Sequence, residues 1–109
     1  MNPVRDQNFM FYTYVIESQK SGYWYTGSTN NLRKRFNQHN KGLSTWTKQR
    51  GPWKLIYYEA CFSEEDAKAR EKYLKSGMGK RYLKTRLKRF LSRLEVGHKM
   101  SVTSNGTYL

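Results

Sequence analysis

The sequence predicts an α+β domain: a small three-stranded antiparallel sheet flanked by helices, in the order β-β-α-β-α-α. Three observations carry that expectation. Two aromatic and β-branched runs, Phe9 to Glu17 and Tyr23 to Gly27, flank the turn-forming Ser18-Gln19-Lys20-Ser21-Gly22, which is the pattern of an antiparallel hairpin with a longer loop. Later segments instead repeat their apolar residues at helical spacing. An aromatic content of 16% is well above that of a disordered chain and supports one modest core within 109 residues.

Each element has a local justification. Phe9 to Glu17 is rich in residues that pack on a pleated surface. Tyr23-Trp24-Tyr25-Thr26-Gly27 forms the second strand, and Gly27 is expected to end it. Thr29, Asn30 and Asn31 offer N-cap side chains, so a helix is expected to about Asn40, with Gly42 stopping it. On that helix Leu32, Phe36 and His39 share a face. Residues 41–52 form a polar, basic loop that contains Trp46. Trp53 to Ala60 reads as the third strand.

Ser63-Glu64-Glu65-Asp66 is a capping sequence with acids in the first turn. Its helix runs to about Lys75 or Ser76. Gly77-Met78-Gly79 is expected to break it. A last helix then starts near Lys80, with an apolar stripe of Leu83, Leu87, Phe90, Leu91 and Leu94. The domain spans 9–94, with tails at 1–8 and 95–109. Asn105-Gly106-Thr107 matches a glycosylation sequon, which is chance in an unexported protein.

The net charge is +13, from 21 Lys+Arg against 8 Asp+Glu. Between Lys68 and Arg93 the only acid is Glu71. Solvated surfaces usually mix signs, so this imbalance favours a polyanionic partner, DNA or RNA ahead of an anionic membrane surface. No apolar run approaches the length of a membrane span, and the first eight residues lack an apolar signal segment. Cys61 is the only cysteine, so no disulfide forms within the chain. These features together predict a cytoplasmic protein. One Cys and two His exclude a typical zinc cluster. Phosphate-binding GxxxxGK[ST] loops, GxGxxG motifs and serine nucleophile elbows are missing from the sequence.

Several residues are candidates for chemistry. Glu71 falls four residues after Ala67 and three before Leu74, on the core-facing side of its helix. A carboxylate there must be paired, hydrogen-bonded or bound to a cation, and pairing to a neighbouring base suits the position as well as metal binding does. Arg35 and His39 are four apart on one helix. An arginine so placed holds phosphate bidentately, and a neutral histidine takes or relays a proton; an ordinary amphipathic helix explains the same spacing. Tyr14 and Tyr25 lie on strands, where most tyrosines are packed rings.

The ordered set is more specific than its parts. Tyr12-Thr13-Tyr14, then Tyr25-Thr26-Gly27, then Asn31-Leu32-Arg33-Lys34-Arg35-Phe36-Asn37-Gln38-His39, then Ala67 and Glu71 on a later helix, resembles a GIY-YIG nuclease domain. It is similar in particular to the small stand-alone bacterial proteins related to the nuclease part of the excinuclease C subunit. The resemblance runs from about Phe9 to Leu91. It implies that Tyr14 closes the first triplet and Tyr25 opens the second. It implies that Gly27 stands where the backbone turns without a side chain, that Arg35 is the catalytic arginine and that His39 fills a His or Tyr position. Glu71 then matches the single carboxylate that binds Mg²⁺ or Mn²⁺. The first triplet departs from Gly-Ile-Tyr, Ser28 stands where some relatives place a lysine, and Gly79-Lys80-Arg81 occupies the neighbourhood of a polar residue on the last helix.

The resemblance therefore implies a metal-dependent endonuclease that cleaves DNA, with a place in DNA repair or recombination. The alternative is a non-catalytic protein that keeps the fold and binds DNA or RNA. In either reading Lys48, Arg50, Lys80 and Arg81 are expected to contact phosphate, with Trp46 available for stacking.

Overall fold

The computed structural model describes residues 10–93 of the 109. Phe9, Leu94, the expected tails at 1–8 and 95–109 and the sequon all lie outside the described residues. The elements are β1 (Phe11–Ser18), β2 (Trp24–Thr29), α1 (Leu32–Asn40), β3 (Trp53–Cys61), α2 (Glu64–Lys75) and α3 (Gly77–Arg86), followed by a helical run at 88–93. The expected β-β-α-β-α-α order is thus present. The chain divides into two compact units between Lys75 and Ser76; the sheet, α1 and α2 belong to the first.

The sheet is antiparallel in the order β2-β1-β3. β1 is central, which explains its composition. Every residue from Thr13 to Ser18 is buried, so both faces of the strand need aromatic or β-branched side chains. On one face Tyr14 and Ile16 form a core with Trp53, closed over by Tyr25, Leu32, Phe36 and Leu55. Leu32 and Phe36 bring α1 onto that face. On the other, the Thr13 hydroxyl donates to the Ala67 carbonyl of α2 at 2.8 Å, and Ala67 and Leu74 are buried.

α1 begins at Asn31, whose side chain accepts from the Lys34 N–H at 3.1 Å. Past its end, Gly42 takes φ +75°, a left-handed conformation that costs glycine nothing. The loop to β3 is tied down at both ends. Asn40 accepts from the Trp53 N–H at 2.6 Å and donates to its carbonyl at 3.2 Å, while the Trp53 indole donates to the Thr47 carbonyl at 3.1 Å. α2 opens on Ser63, which accepts from the Asp66 N–H at 3.3 Å.

Three expectations need correction. Gly27 does not end the second strand: it lies inside β2, opposite Tyr14, and pairing continues to Thr29. The glycine answers a close approach, not a turn, because a Cβ there would lie 2.6 Å from the Tyr14 hydroxyl oxygen. The break after α2 is a single residue. Ser76 caps the next helix by accepting from the Gly79 N–H at 3.1 Å, so Gly77, Met78 and Gly79 form the first turn of α3 and not a linker. The last helix is also interrupted. α3 stops at Arg86 with Leu87 as its cap, and helix resumes at 88. No glycine or proline marks that point in the sequence.

Candidate functional site

Tyr14 and Gly27 face each other across β1 and β2. With no side chain on Gly27, the Tyr14 ring lies over the β2 backbone and its hydroxyl reaches His39 Nε2 at 2.7 Å. The other ring nitrogen, Nδ1, is 2.6 Å from the Thr47 hydroxyl. Tyr14, His39 and Thr47 are each at most 1% exposed. This buried chain is satisfied when Tyr14 donates to Nε2 and Nδ1–H donates to Thr47, an assignment made from the hydrogen bonds.

Burial sets the proton affinities of the pair. Desolvation pushes the Tyr14 hydroxyl up to about 12, although the neighbouring Arg35 pulls the other way. Desolvation, with Arg35 adding to it, pushes His39 down to about 4. At neutral pH the first is a phenol and the second a neutral imidazole. Moving a proton from a phenol held that high to an imidazole held that low is strongly uphill. The geometry therefore suits His39 to anchoring Tyr14.

Tyr25 differs from Tyr14. Its ring packs edge-on against His39 at 5.2 Å between centroids, yet it is partly exposed. Its hydroxyl makes no hydrogen bond among the described residues. Arg35, also partly exposed, donates to the Gln38 side chain at 3.0 Å and to the Ser44 hydroxyl at 3.3 Å. Both acceptors are neutral, and Arg35 has no carboxylate partner among the described residues. A guanidinium fixed by neutral groups keeps its charge for an anion.

Glu71 lies on α2, which packs on the opposite face of the sheet. Its Oε1 accepts from the Ser28 hydroxyl at 2.8 Å, and its Oε2 meets Lys75 Nζ at 2.8 Å. Ser28 follows Gly27 directly on β2, and β2 is an edge strand. The site therefore wraps around that edge: Gly27 backs Tyr14 on one side and Ser28 holds Glu71 on the other. The charges of Arg35 and Glu71 and the hydroxyl of Tyr25 all act on Tyr14. No group of three or more His, Cys, Asp or Glu able to hold a metal occurs among the described residues. A cation at Glu71 would have one hard carboxylate, with water and a substrate phosphate completing its shell. The oxygen donor suits a hard divalent cation, and the Lys75 ammonium already marks a position for positive charge.

Thr47, Lys75 and Ser44 were not singled out from the sequence as part of this site, Gln38 appeared there only within the motif, and Ser28 only as a departure from the family's pattern. Lys75 is four residues past Glu71, a spacing that favours pairing. Thr47 and Ser44 lie in an irregular loop, where periodicity carries no signal. Of the expected phosphate contacts, Lys48 and Arg50 are exposed on that loop, and Lys80 and Arg81 are exposed on α3 in the second unit.

A family model described as the GIY-YIG catalytic domain matches residues 10–88. Among curated proteins, a UPF0213 protein from Clostridium perfringens is 42% identical over 67 residues, covering 61% of this chain and 71% of that protein. The UPF0213 protein YazA from Bacillus subtilis is 40% identical over 63 residues, covering 57% and 63%. The solution NMR structure of a UPF0213 protein from Bacillus halodurans is 34% identical, with a TM-score of 0.43 over 68% of this chain and 81% of that one.

Proposed function

The chain belongs to the GIY-YIG family of nuclease domains, and from that premise we propose that it hydrolyses phosphodiester bonds in DNA with one divalent cation, Mg²⁺ or Mn²⁺. The observation that carries this reading is the meeting at one strand edge of three groups: a tyrosine hydroxyl and an arginine that have, among the described residues, no hydrogen-bond partner and no carboxylate partner respectively, and a carboxylate already facing a cation.

In this reading Arg35 binds the non-bridging oxygens and offsets the charge that builds as water attacks phosphorus. Tyr25, whose hydroxyl has no other partner among the described residues, orients that water. Tyr14 stands behind it, its own hydroxyl fixed by His39 and Thr47. Tyr14's donation to His39 leaves its oxygen lone pairs available as acceptors. His39 acts through Tyr14 as a positioning residue. Glu71 would hold the cation, with the Ser28 hydroxyl steadying the carboxylate by donating to its Oε1. When bound, the cation supplies Lewis-acid stabilisation of the leaving 3′-oxygen. Lys75 must release Glu71 for that to happen, and the arriving phosphate offers its ammonium a new partner. The resemblance to the excinuclease C nuclease part supports a place in DNA repair or recombination.

Supercoiled plasmid incubated with Mg²⁺ or Mn²⁺ is expected to be nicked. Glu71→Ala and Arg35→Ala should each remove the activity, and single oxyanion-type contacts of this kind are worth about 10²–10³ in rate. Plasmid that stays intact across both metals and across branched and damaged DNA would sink the reading. Salt-sensitive binding without cleavage, unchanged in Glu71→Ala, would point to the non-catalytic alternative.

A further inference from the structure

Beside the candidate site, the β1–β2 turn and the loop between α1 and β3 together expose aromatic surface. Tyr23 and Trp46 are each 48% exposed. Their rings stack with centroids 5.5 Å apart and planes 21° from parallel. The core position is taken instead by Trp53, which is 4% exposed. The Arg50 guanidinium lies 4.3 Å from the Trp46 ring centroid and is held there by donating to the Trp46 carbonyl.

These rings are continuous with the site. Tyr25 packs on Trp46 at 6.1 Å and on His39 at 5.2 Å, so one ring separates the exposed stack from the Tyr14–His39 pair. The stack borders an open groove of about 560 Å³ whose other walls include Lys20, Gly22 and Gln49. Lys20, Lys48 and Arg50 make its surroundings positive, and no acid lies between Asp6 and Glu59 except Glu17. Gln49 holds φ +70°, a conformation costly to a residue with a side chain.

We propose that Tyr23, Trp46 and Arg50 form a stacking platform for an unpaired nucleobase of the strand whose phosphate sits at Arg35. This rests on the phosphodiesterase reading and adds what part of the substrate is recognised. A paired base inside a duplex already has both faces covered by its neighbours. Only a base that has left the stack offers a π-face to a protein ring. Positive side chains around the rings hold the flanking phosphates, and Arg50 either stacks on the base or yields its place over Trp46 to it. The preferred substrate therefore carries at least one unpaired nucleotide next to the bond that is cut.

The test is binding of dye-labelled strands to the full chain in EDTA, so that nothing is cleaved. The strands are a short oligothymidylate, its abasic counterpart with the same phosphate count, an oligouridylate and a blunt two-strand duplex, on which Trp46→Ala should have no effect. Trp46→Ala is expected to weaken oligothymidylate binding on the order of 10- to 100-fold, from the usual worth of base–aromatic stacking. It should leave the abasic strand and the salt dependence unchanged, because no phosphate contact is lost. Trp46→Phe should retain most of the affinity, and Tyr23→Leu should fall between. Dependence on Trp46 for the thymidylate or the uridylate strand supports the platform, and the difference between them tells which sugar it takes. If Trp46→Ala binds oligothymidylate as the parent does, or weakens the abasic strand equally, the platform is overturned while plasmid nicking still stands or falls by itself. If the parent chain binds none of the strands, the platform is overturned, and the phosphodiesterase reading is still judged by plasmid nicking with Mg²⁺ or Mn²⁺.

Discussion

Buried polar residues decide the character of the site. His39 is one of two histidines, and its ring is sealed between Tyr14, Tyr25 and Thr47. Its affinity for a proton falls from the ordinary 6.5 to about 4, chiefly through desolvation. The unfolded chain therefore binds a proton at His39 that the folded chain refuses. Between pH 6.5 and 4 the unfolded state holds more protons, so stability falls as pH falls. The loss through His39 should approach about 3 kcal/mol near pH 4. Urea midpoints at pH 7 and pH 4.5 would measure it, and His39→Gln should flatten the dependence. An equal fall in His39→Gln would mean that another group is responsible. His39 itself was legible in the sequence from its spacing to Arg35. Its partner Thr47 was not, because hydrogen bonding across an irregular loop leaves no period to read.

Between elements, the pairing of β1 with β2 sets the site's geometry. Strand alternation puts Tyr14 and Gly27 on one face and Thr13 and Ser28 on the other. That parity distributes the functional groups around the β2 edge. It also fixes the cost of filling Gly27. A methyl there would meet the Tyr14 hydroxyl oxygen at 2.6 Å and its ring carbon at 2.8 Å, inside a packed core. Gly27→Ala is expected to destabilise by about 1–3 kcal/mol as an overpacked position. Tyr14→Phe removes the nearest of those atoms, so the double variant should lose less than the two single losses combined. A thermodynamic cycle from chemical denaturation would show this, and strict additivity would contradict the contact.

The sequence foretold the hairpin, both flanking helices and the third strand because each has a clean period and a capping or turn signal. It misplaced the role of Gly27, since a glycine in a strand end looks the same whether it serves a turn or a close approach. It also took Gly77-Met78-Gly79 for a break, where one capping hydrogen bond, from the Gly79 N–H to the Ser76 hydroxyl, outweighs two poor helix formers.

At the scale of the whole molecule, charge dominates. A net +13 on 109 residues gives the chain long-range attraction for polyphosphate that precedes any specific contact. No helix among the described residues is long and apolar enough to cross a membrane. The basic residues are spread over both compact units, with Lys48 and Arg50 in the first and Lys80 and Arg81 in the second. If α3 contributes phosphate contacts, Lys80→Gln with Arg81→Gln should lower the slope of log affinity against log salt by about 2. A slope unchanged from the parent chain would remove α3 from the interface. The charge excess was plain in the sequence; the carboxylate's local partners were not, since Ser28 comes from a strand 43 residues away.

The Lys75–Glu71 contact has a meaning for how the molecule is made and kept. Even with no ion bound, the Glu71 carboxylate is not left bare, because the Lys75 ammonium closes it. Proteins whose metal is part of the folding free energy collapse when it is stripped. With Lys75 as an internal counter-ion to Glu71, the proposed nuclease would stay folded when divalent cation is withheld, and its chemistry would be switched without dismantling its architecture.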